Sequence, residues 1–504
     1  MELNVKKLKY DSMKKRKFSV NVTGNENIED SAKVLSVIAH SCCGRSEILN
    51  DEIIIEGIVR FTAIIKVDEK IKKVEKSERF TVNESVSGVK PDSYIITSSS
   101  VSKVRGYIEA GKIMFACTAD INSIIILKEE IEYIDELDED FRRQEKTISF
   151  FETSFLKNLR FNVNEETELS PRVPEITEIL STDTFVTVKE AHVSAGQLII
   201  GGEISTQTIY NSIDEYEPVI QVCDKFEFSH LIDIDVMQAQ NPVVVLDIED
   251  VDTKIKVNEQ GEMRIIEYNI CLCGYGFSGE YNNYKVVTDA YSIKNKVESQ
   301  NAKTQFSVLG EEISESVNKN VCVKIPDGIN PVSRVNSVTL IPEVIDAEVK
   351  DSKIIIKCSA ETGLVYTASN TGETEGYNST VNFEIIFENS KLENIDNAVV
   401  YLSVCDMQAV LIRGNEVEIR AGINVKIFPE INVNETVLSN IVVSEENDLP
   451  EFGIIIYNVQ YGDTLWEICK KYGVDEDEVL QLNGDINEKL EAGKKLYLFR
   501  KLAV

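Results

Sequence analysis

With 504 residues, 53 Lys+Arg against 85 Asp+Glu, a net charge of −32 and 43% apolar content, the chain is long enough for about three or four domains with ordinary cores. A balance this acidic is repelled at long range by nucleic acid and by anionic lipid, which sets both aside as partners. No stretch reaches the roughly 18 consecutive apolar residues that a membrane-spanning helix requires.

The opening segment is basic, with Lys6, Lys7, Lys9, Lys14, Lys15, Arg16 and Lys17, but it lacks the apolar centre of a signal peptide, so export by that route is not expected. The ten cysteines are sparse and sit mostly in apolar runs such as Phe115-Ala116-Cys117. They read as small buried hydrophobes in a reducing compartment. Cys42-Cys43 and Cys271-Leu272-Cys273 are the close pairs, and the latter has neither a second pair nor a neighbouring His to complete a metal site. No metal and no cofactor are expected.

Two markers recur along the chain. An extended apolar run near a small residue appears at Ile53-Ile54-Ile55-Glu56-Gly57, Leu198-Ile199-Ile200-Gly201-Gly202 and Ile354-Ile355-Ile356-Lys357-Cys358, spaced by roughly 150 residues. A Gly turn leading into an alternating strand appears at Gly111-Lys112-Ile113, Gly261-Glu262-Met263 and Gly414-Asn415-Glu416, in each case roughly 55 residues further on. Shared period and shared phase predict three copies of one domain. Each copy reads as antiparallel β: Val417, Ile419, Ala421, Ile423, Val425 and Ile427 alternate with Glu418, Arg420, Gly422, Asn424 and Lys426, which gives a strand one core face and one wet face. β-Branched runs punctuated by Gly, Asn and Asp suit a sandwich or open barrel.

Between copies the chain is more polar. Leu127 to Glu145 is strongly acidic, and its Ile131, Ile134 and Leu137 repeat at helical spacing, so a short acidic helix with a solvated face is expected there. Pro171 and Pro174 precede the second copy, Pro326 and Pro331 the third, and Asn432 to Glu451 reads as a linker. The expected divisions are 1–155, 156–325 with a following helical or polar segment, 326–431, a linker at 432–453, and a terminal domain at 454–504.

In that last division the period changes. Ile454 to Val459 is a short strand, and Thr464-Leu465-Trp466-Glu467 matches a capping box that starts a helix with the stripe Leu465, Ile468, Cys469 and Tyr472. Gly473 ends it. Asp475 with Glu478 caps a second helix lined by Val479 and Leu482, Asn483-Gly484 closes it, and Leu496-Tyr497-Leu498 returns as a strand. The single Trp, Trp466, is expected half exposed at the first helix start, where its ring either stacks on a sugar or partner protein or simply packs.

These spaced residues, Tyr457-x-Val459-x-x-Gly462-Asp463-Thr464-Leu465-Trp466-x-Ile468, Tyr472-Gly473-Val474, Leu482-Asn483 and Gly493-x-x-Leu496, resemble a LysM module. Ala492 stands where that family often has Pro. The resemblance implies a βααβ fold that binds N-acetylglucosamine-containing glycan in a groove between Gly462, Asp463, Thr464 and Leu465, with Trp466 beside them, and Asn483, Gly484, Asp485 and Ile486. The whole chain resembles the clostridial spore-envelope proteins of the SipL type. That likeness is carried by Pro174-Glu175-Ile176-Thr177-Glu178-Ile179-Leu180, Gly196-Gln197-Leu198-Ile199-Ile200-Gly201-Gly202-Glu203 and Thr288-Asp289-Ala290-Tyr291-Ser292. It implies a scaffold of spore coat assembly in the mother cell, at the forespore surface, whose LysM module engages the coat ATPase SpoIVA; peptidoglycan binding through the LysM groove is the alternative.

A hydrolytic constellation is not visible. His40, His192 and His230 each follow a different local pattern, without a nucleophile elbow or metal-ligand spacing. Gly274-Tyr275-Gly276-Phe277-Ser278-Gly279 has dinucleotide-fingerprint spacing but lacks the following helix, and reads as a turn. The expected fold is mainly β, with three tandem antiparallel sandwich-like repeats and a small βααβ LysM domain, and the expected function is non-enzymatic.

Overall fold

The computed structural model describes residues 4–29, 31–68, 70–214, 219–393, 395–413, 415–443, 453–484 and 490–500. Strand accounts for 77% of the chain and helix for 4%, so the β-branched runs set the architecture. In the first repeat, β1 (Asn4–Asn27) is followed by β2 (Ala32–Leu49), β3 (Glu52–Val67), β4 (Lys70–Ser85), β5 (Tyr94–Glu109) and β6 (Lys112–Glu136). β2, β3 and β4 form one antiparallel meander, while β6 lies between β1 and β5 in the facing sheet. The two sheets enclose a core that includes Val37, Ile53, Phe61, Phe80, Ile113 and Phe115.

The second repeat runs β7 (Phe141–Glu168), β8 (Ile176–Ser194), β9 (Gln197–Ser212), β10 (Val219–Asp233), β11 (Val243–Val257) and β12 (Met263–Ser292), with the same two sheet orders. In the third, the opening strand is broken at 310–312 into β13 (Val297–Leu309) and β14 (Ile313–Lys324), followed by β15 (Val332–Lys350), β16 (Lys353–Ala368), β17 (Thr374–Glu388), β18 (Asn397–Arg413) and β19 (Glu416–Val443). β19 pairs with β13, β14 and β18, which reproduces the topology. The first sequence marker falls on the central strands β3, β9 and β16, and the second on the turns into β6, β12 and β19; Gly414 itself lies outside the described residues.

Register agrees as closely as topology. A β-bulge falls between Val34 and Ser36, Ile179 and Ser181, and Val335 and Ser337. A second falls between Cys43 and Arg45, Val188 and Glu190, and Val344 and Asp346, opposite Gly57, Gly202 and Cys358 respectively. Bulges twist and bend a strand at a defined place, so the same pair in each repeat bends each sheet the same way.

The long strands run past their sandwiches. The ends of β1 and β6, β7 and β12, and β13 and β19 leave as three paired legs that pack on one another. One aromatic from each repeat meets in the middle: Tyr10 lies 5.3 Å from Phe150 and 4.3 Å from Phe306, and the latter two are 5.7 Å apart between ring centroids. Each such ring removes on the order of 150–250 Å² from water, which makes this a core in its own right. The sandwiches also touch one another. Asn378 on β17 accepts from the Val37 amide at 3.2 Å and donates to the Val37 carbonyl at 2.8 Å, and Thr339 on β15 donates to Asp183 on β8 at 3.1 Å.

Four sequence expectations are corrected here. The acidic stretch is strand, not helix: Lys9 lies opposite Glu130 and Lys7 opposite Glu132, so the basic opening segment and the acidic run neutralise each other across a ladder. Ile131 and Tyr133 face the aromatic centre while Ile134 faces a second cluster, so burial on both faces mimicked helical spacing. The expected linker is strand as far as Val443, with Val437 and Leu438 fully buried against β13 and its neighbours. The 274–279 glycine run lies mid-strand in β12 rather than in a turn. A Cβ at Gly274 would sit 2.0 Å from the Val245 carbonyl oxygen, so glycine there admits the neighbouring strand. The opening strands of the second and third repeats also begin earlier than 156 and 326, at Phe141 and Val297.

The cysteines hold a further departure. Neither close pair in sequence is the close pair in space: Cys42 on β2 and Cys273 on β12 set their sulfur atoms against each other across the first and second repeats, with Cα atoms 7.9 Å apart.

Candidate functional site

The C-terminal module consists of β20 (Ile454–Asn458), α1 (Leu465–Tyr472), α2 (Glu476–Asn483) and β21 (Lys495–Phe499). The capping box forms as expected, the Thr464 hydroxyl accepting from the Glu467 amide at 3.2 Å and the Thr464 amide donating to the Glu467 carboxylate at 3.4 Å. Gly473 ends α1 in the left-handed conformation, and Asp475 caps α2. Ile468, Cys469, Val479, Leu496 and Leu498 are buried between the helices and the two-stranded sheet.

Most of the expected groove side chains are committed to holding turns. Asp463 accepts from the Gln460 amide at 2.7 Å and from the Tyr457 hydroxyl at 2.8 Å, and these bonds hold its carboxyl below the usual range. Asn483 donates to the Val479 and Tyr497 carbonyls and accepts from the Tyr497 amide, each at 2.7 Å, which ties α2 to β21. Leu465 packs half-buried on the core. Gly462 and Gly484 are exposed, with φ of 92° and 66°, and present bare backbone. Asp485 and Ile486 lie outside the described residues.

Trp466 departs from expectation. It is 7% exposed, because its ring packs edge-on against Tyr291, 4.8 Å away, at the end of β12. Its Nε1 donates to Asp289 at 2.8 Å, and Lys470, one helical turn on, donates to both oxygens of the same carboxylate at 2.5 and 2.8 Å. Tyr291 donates to the Val474 carbonyl at 2.8 Å, Arg142 on β7 pairs with Asp475, and Arg500 donates to the Ile293 carbonyl at 3.2 Å. The module is therefore docked on the second repeat's leg. The Thr288–Ser292 segment supplies the docking surface.

The face that remains outward was not singled out from the sequence. Ile454 lies opposite Phe499 and Ile456 opposite Tyr497, all on the side of the sheet away from the helices, with exposures of 69%, 42%, 57% and 46%. Leu482 on α2 is also exposed. Four large apolar side chains in two cross-strand pairs form a continuous patch. The signal available was the unbroken Ile454-Ile455-Ile456 run, which leaves no polar residue for the wet face of the strand.

The histidines do not converge. His40 lines a cavity of about 120 Å³ between the first and second repeats with Arg60, Asp183, Asp247 and Glu249. His230 stacks on Phe161 at 4.0 Å, and His192 lies in the β8–β9 ladder. Among the described residues no group of three or more His, Cys, Asp or Glu is placed to hold a metal, and no helix is long and apolar enough to cross a membrane.

Comparison with known families places this geometry. Residues 457–499 match the LysM domain, and residues 175–256, which span β8 to β11, match the SipL, SPOCS domain. No curated protein and no solved structure matches the chain. Both matched families are non-catalytic binding or scaffold domains; the LysM match suggests glycan binding, and the SPOCS match suggests a sporulation role.

Proposed function

We propose, for a chain that joins a SipL SPOCS domain to a terminal LysM domain, that it is a non-enzymatic adaptor of spore coat assembly. It works in the mother cell at the forespore surface, where its LysM module captures the coat ATPase SpoIVA. The observation that carries this reading is the outward sheet face of Ile454, Ile456, Tyr497 and Phe499. A sugar-binding groove needs polar groups to meet hydroxyls, whereas a protein partner is met by apolar side chains whose burial releases roughly 25 cal/mol per Å². The second repeat holds this face in one orientation through Asp289, Tyr291 and Arg142, which lowers the ordering cost of binding.

The second reading is glycan binding at the groove. It is favoured by the exposed backbone at Gly462 and Gly484, where among the described residues nothing lies within 4 Å of the place a Cβ would take. The two separate in one experiment. The full chain is incubated with immobilised SpoIVA and, in parallel, sedimented with purified peptidoglycan. Capture by SpoIVA without sedimentation supports the adaptor, and sedimentation alone supports the glycan reading.

A further inference from the structure

We propose that Cys42 and Cys273 are the site of a regulated covalent cross-link between the first and second repeats, closed by thiol–disulfide exchange with a small-molecule disulfide. The inference stands apart from the partner of the LysM module. The two residues are 231 apart in sequence and belong to different repeats, yet their sulfur atoms face each other across the seam. Both are buried, and Cys42 also lines the cavity of about 120 Å³ shared by β2, β8 and β11.

The remaining thiols are set apart by their surroundings. Cys43, Cys117, Cys358 and Cys469 are buried without a second sulfur paired to them. Cys223 and Cys322 are exposed on the surface, and Cys271 and Cys405 are half-buried. The Cα atoms of Cys42 and Cys273 stand 7.9 Å apart, against roughly 4.4–6.8 Å in formed disulfides, so bonding draws β2 toward β12. The backbone has freedom to do so on the β2 side, at the Cys43–Arg45 bulge that contains Gly44.

The exchange balances without a further reactant. The Cys42 thiol loses its proton to water and attacks one sulfur of the small disulfide, expelling one thiolate. Cys273 then gives up its own proton, attacks the Cys42 sulfur of the mixed disulfide and expels the second thiolate, and the two released protons go through water to the two expelled thiolates. Two electrons pass from the protein pair to the small disulfide, which leaves as two thiols. The closed loop spans 231 residues, and because β12 also carries Asp289 and Tyr291, the cross-link fixes the leg on which the LysM module sits.

The test uses the full chain with Cys223→Ser and Cys322→Ser to block intermolecular pairing, treated with oxidised glutathione and digested without reduction. The expected result is a Cys42–Cys273 linked peptide, two fewer free thiols than in the untreated protein, a higher melting temperature, and reversal by dithiothreitol. The link should persist in Cys43→Ser and vanish in Cys42→Ser and in Cys273→Ser. A link that survives Cys42→Ser, or treated protein that keeps both thiols free, overturns the proposal.

Discussion

The Trp466 indole donates to the Asp289 carboxylate at 2.8 Å, joining the first helix of the LysM module to the end of β12 in the second repeat's leg. Lys470 binds the same carboxylate from the next turn of the helix, and the Ala290 amide closes on it from behind at 2.9 Å. One side chain thus reads two donors spaced four residues apart on α1, a pattern that only a helix in this orientation can offer. The module is a fixed feature of the molecule rather than a bead on a string.

Asp289→Ala should release it. The change leaves the Lys470 ammonium and the Trp466 N–H without their acceptor, at a cost on the order of 1–3 kcal/mol of docking energy. The module keeps its own core of Ile468, Cys469, Val479, Leu496 and Leu498 and stays folded. Since Trp466 is the single tryptophan, its emission reports docking directly and should shift to the red. An unchanged emission maximum in the variant would show that Asp289 does not hold the module.

Asp183 gives a pH signature. It is buried on β8 with Thr339 as its donor, and burial pushes its carboxyl up to about 6. Between roughly pH 4 and 6 the native chain holds a proton that the unfolded chain, with a pKa near 3.9, has lost. Stability from this group therefore falls as pH rises through that window, and the full cost is present above it. Asp247, also pushed up to about 6, acts in the same direction, while His40, lowered to about 4 by burial, contributes stability that rises over roughly pH 4 to 6.5. Asp183→Asn should raise stability by up to about 3 kcal/mol at pH 7.5 and by nothing near pH 4. Urea midpoints of both proteins at the two pH values decide it; equal midpoints at pH 7.5 refute the assignment.

Gly376 tests how tightly the repeats close on each other. A Cβ there would lie 1.9 Å from the Leu35 carbonyl oxygen of the first repeat, and backbone cannot step aside as a flexible side chain can. Gly376→Ala should force β17 away from β2, break the neighbouring Asn378–Val37 bonds and cost about 1–3 kcal/mol or more. Gly453→Ala, with nothing among the described residues within 4 Å of the added atom, is the matched control and should be neutral. Thermal unfolding of the two variants checks this, and equal midpoints would mean that the seam is loose.

What could be read from the sequence depended on how many faces of a strand are buried. Ile113 to Ile121 and Val417 to Ile427 have one core face, so their alternation announced both strand and repeat. The LysM helices were legible because capping boxes and C-terminal glycines are local. The legs were not: Ile131, Tyr133 and Ile134, like Val437 and Leu438, bury both faces against partners distant in sequence, so period 2 disappears. Trp466 failed for the same reason, since its partner Asp289 is 177 residues away and nothing near the helix predicts it.

The outward LysM face and the groove can be separated by paired substitutions. Ile456→Ser with Tyr497→Ser removes one cross-strand apolar pair from the exposed side without touching Leu496 or Leu498, which are buried on the other side of the sheet. The variant should fold, because exposed apolar positions contribute little to stability. It should lose SpoIVA capture by at least tenfold, the equivalent of about 1.4 kcal/mol, while any sedimentation with peptidoglycan is unchanged. Gly484→Val makes the opposite change: at φ 66° a β-branched residue is strained and its side chain stands over the open backbone of the groove. It should abolish glycan sedimentation and spare SpoIVA. If Gly484→Val and not the sheet pair blocks SpoIVA, the partner sits in the groove and the apolar face has another use.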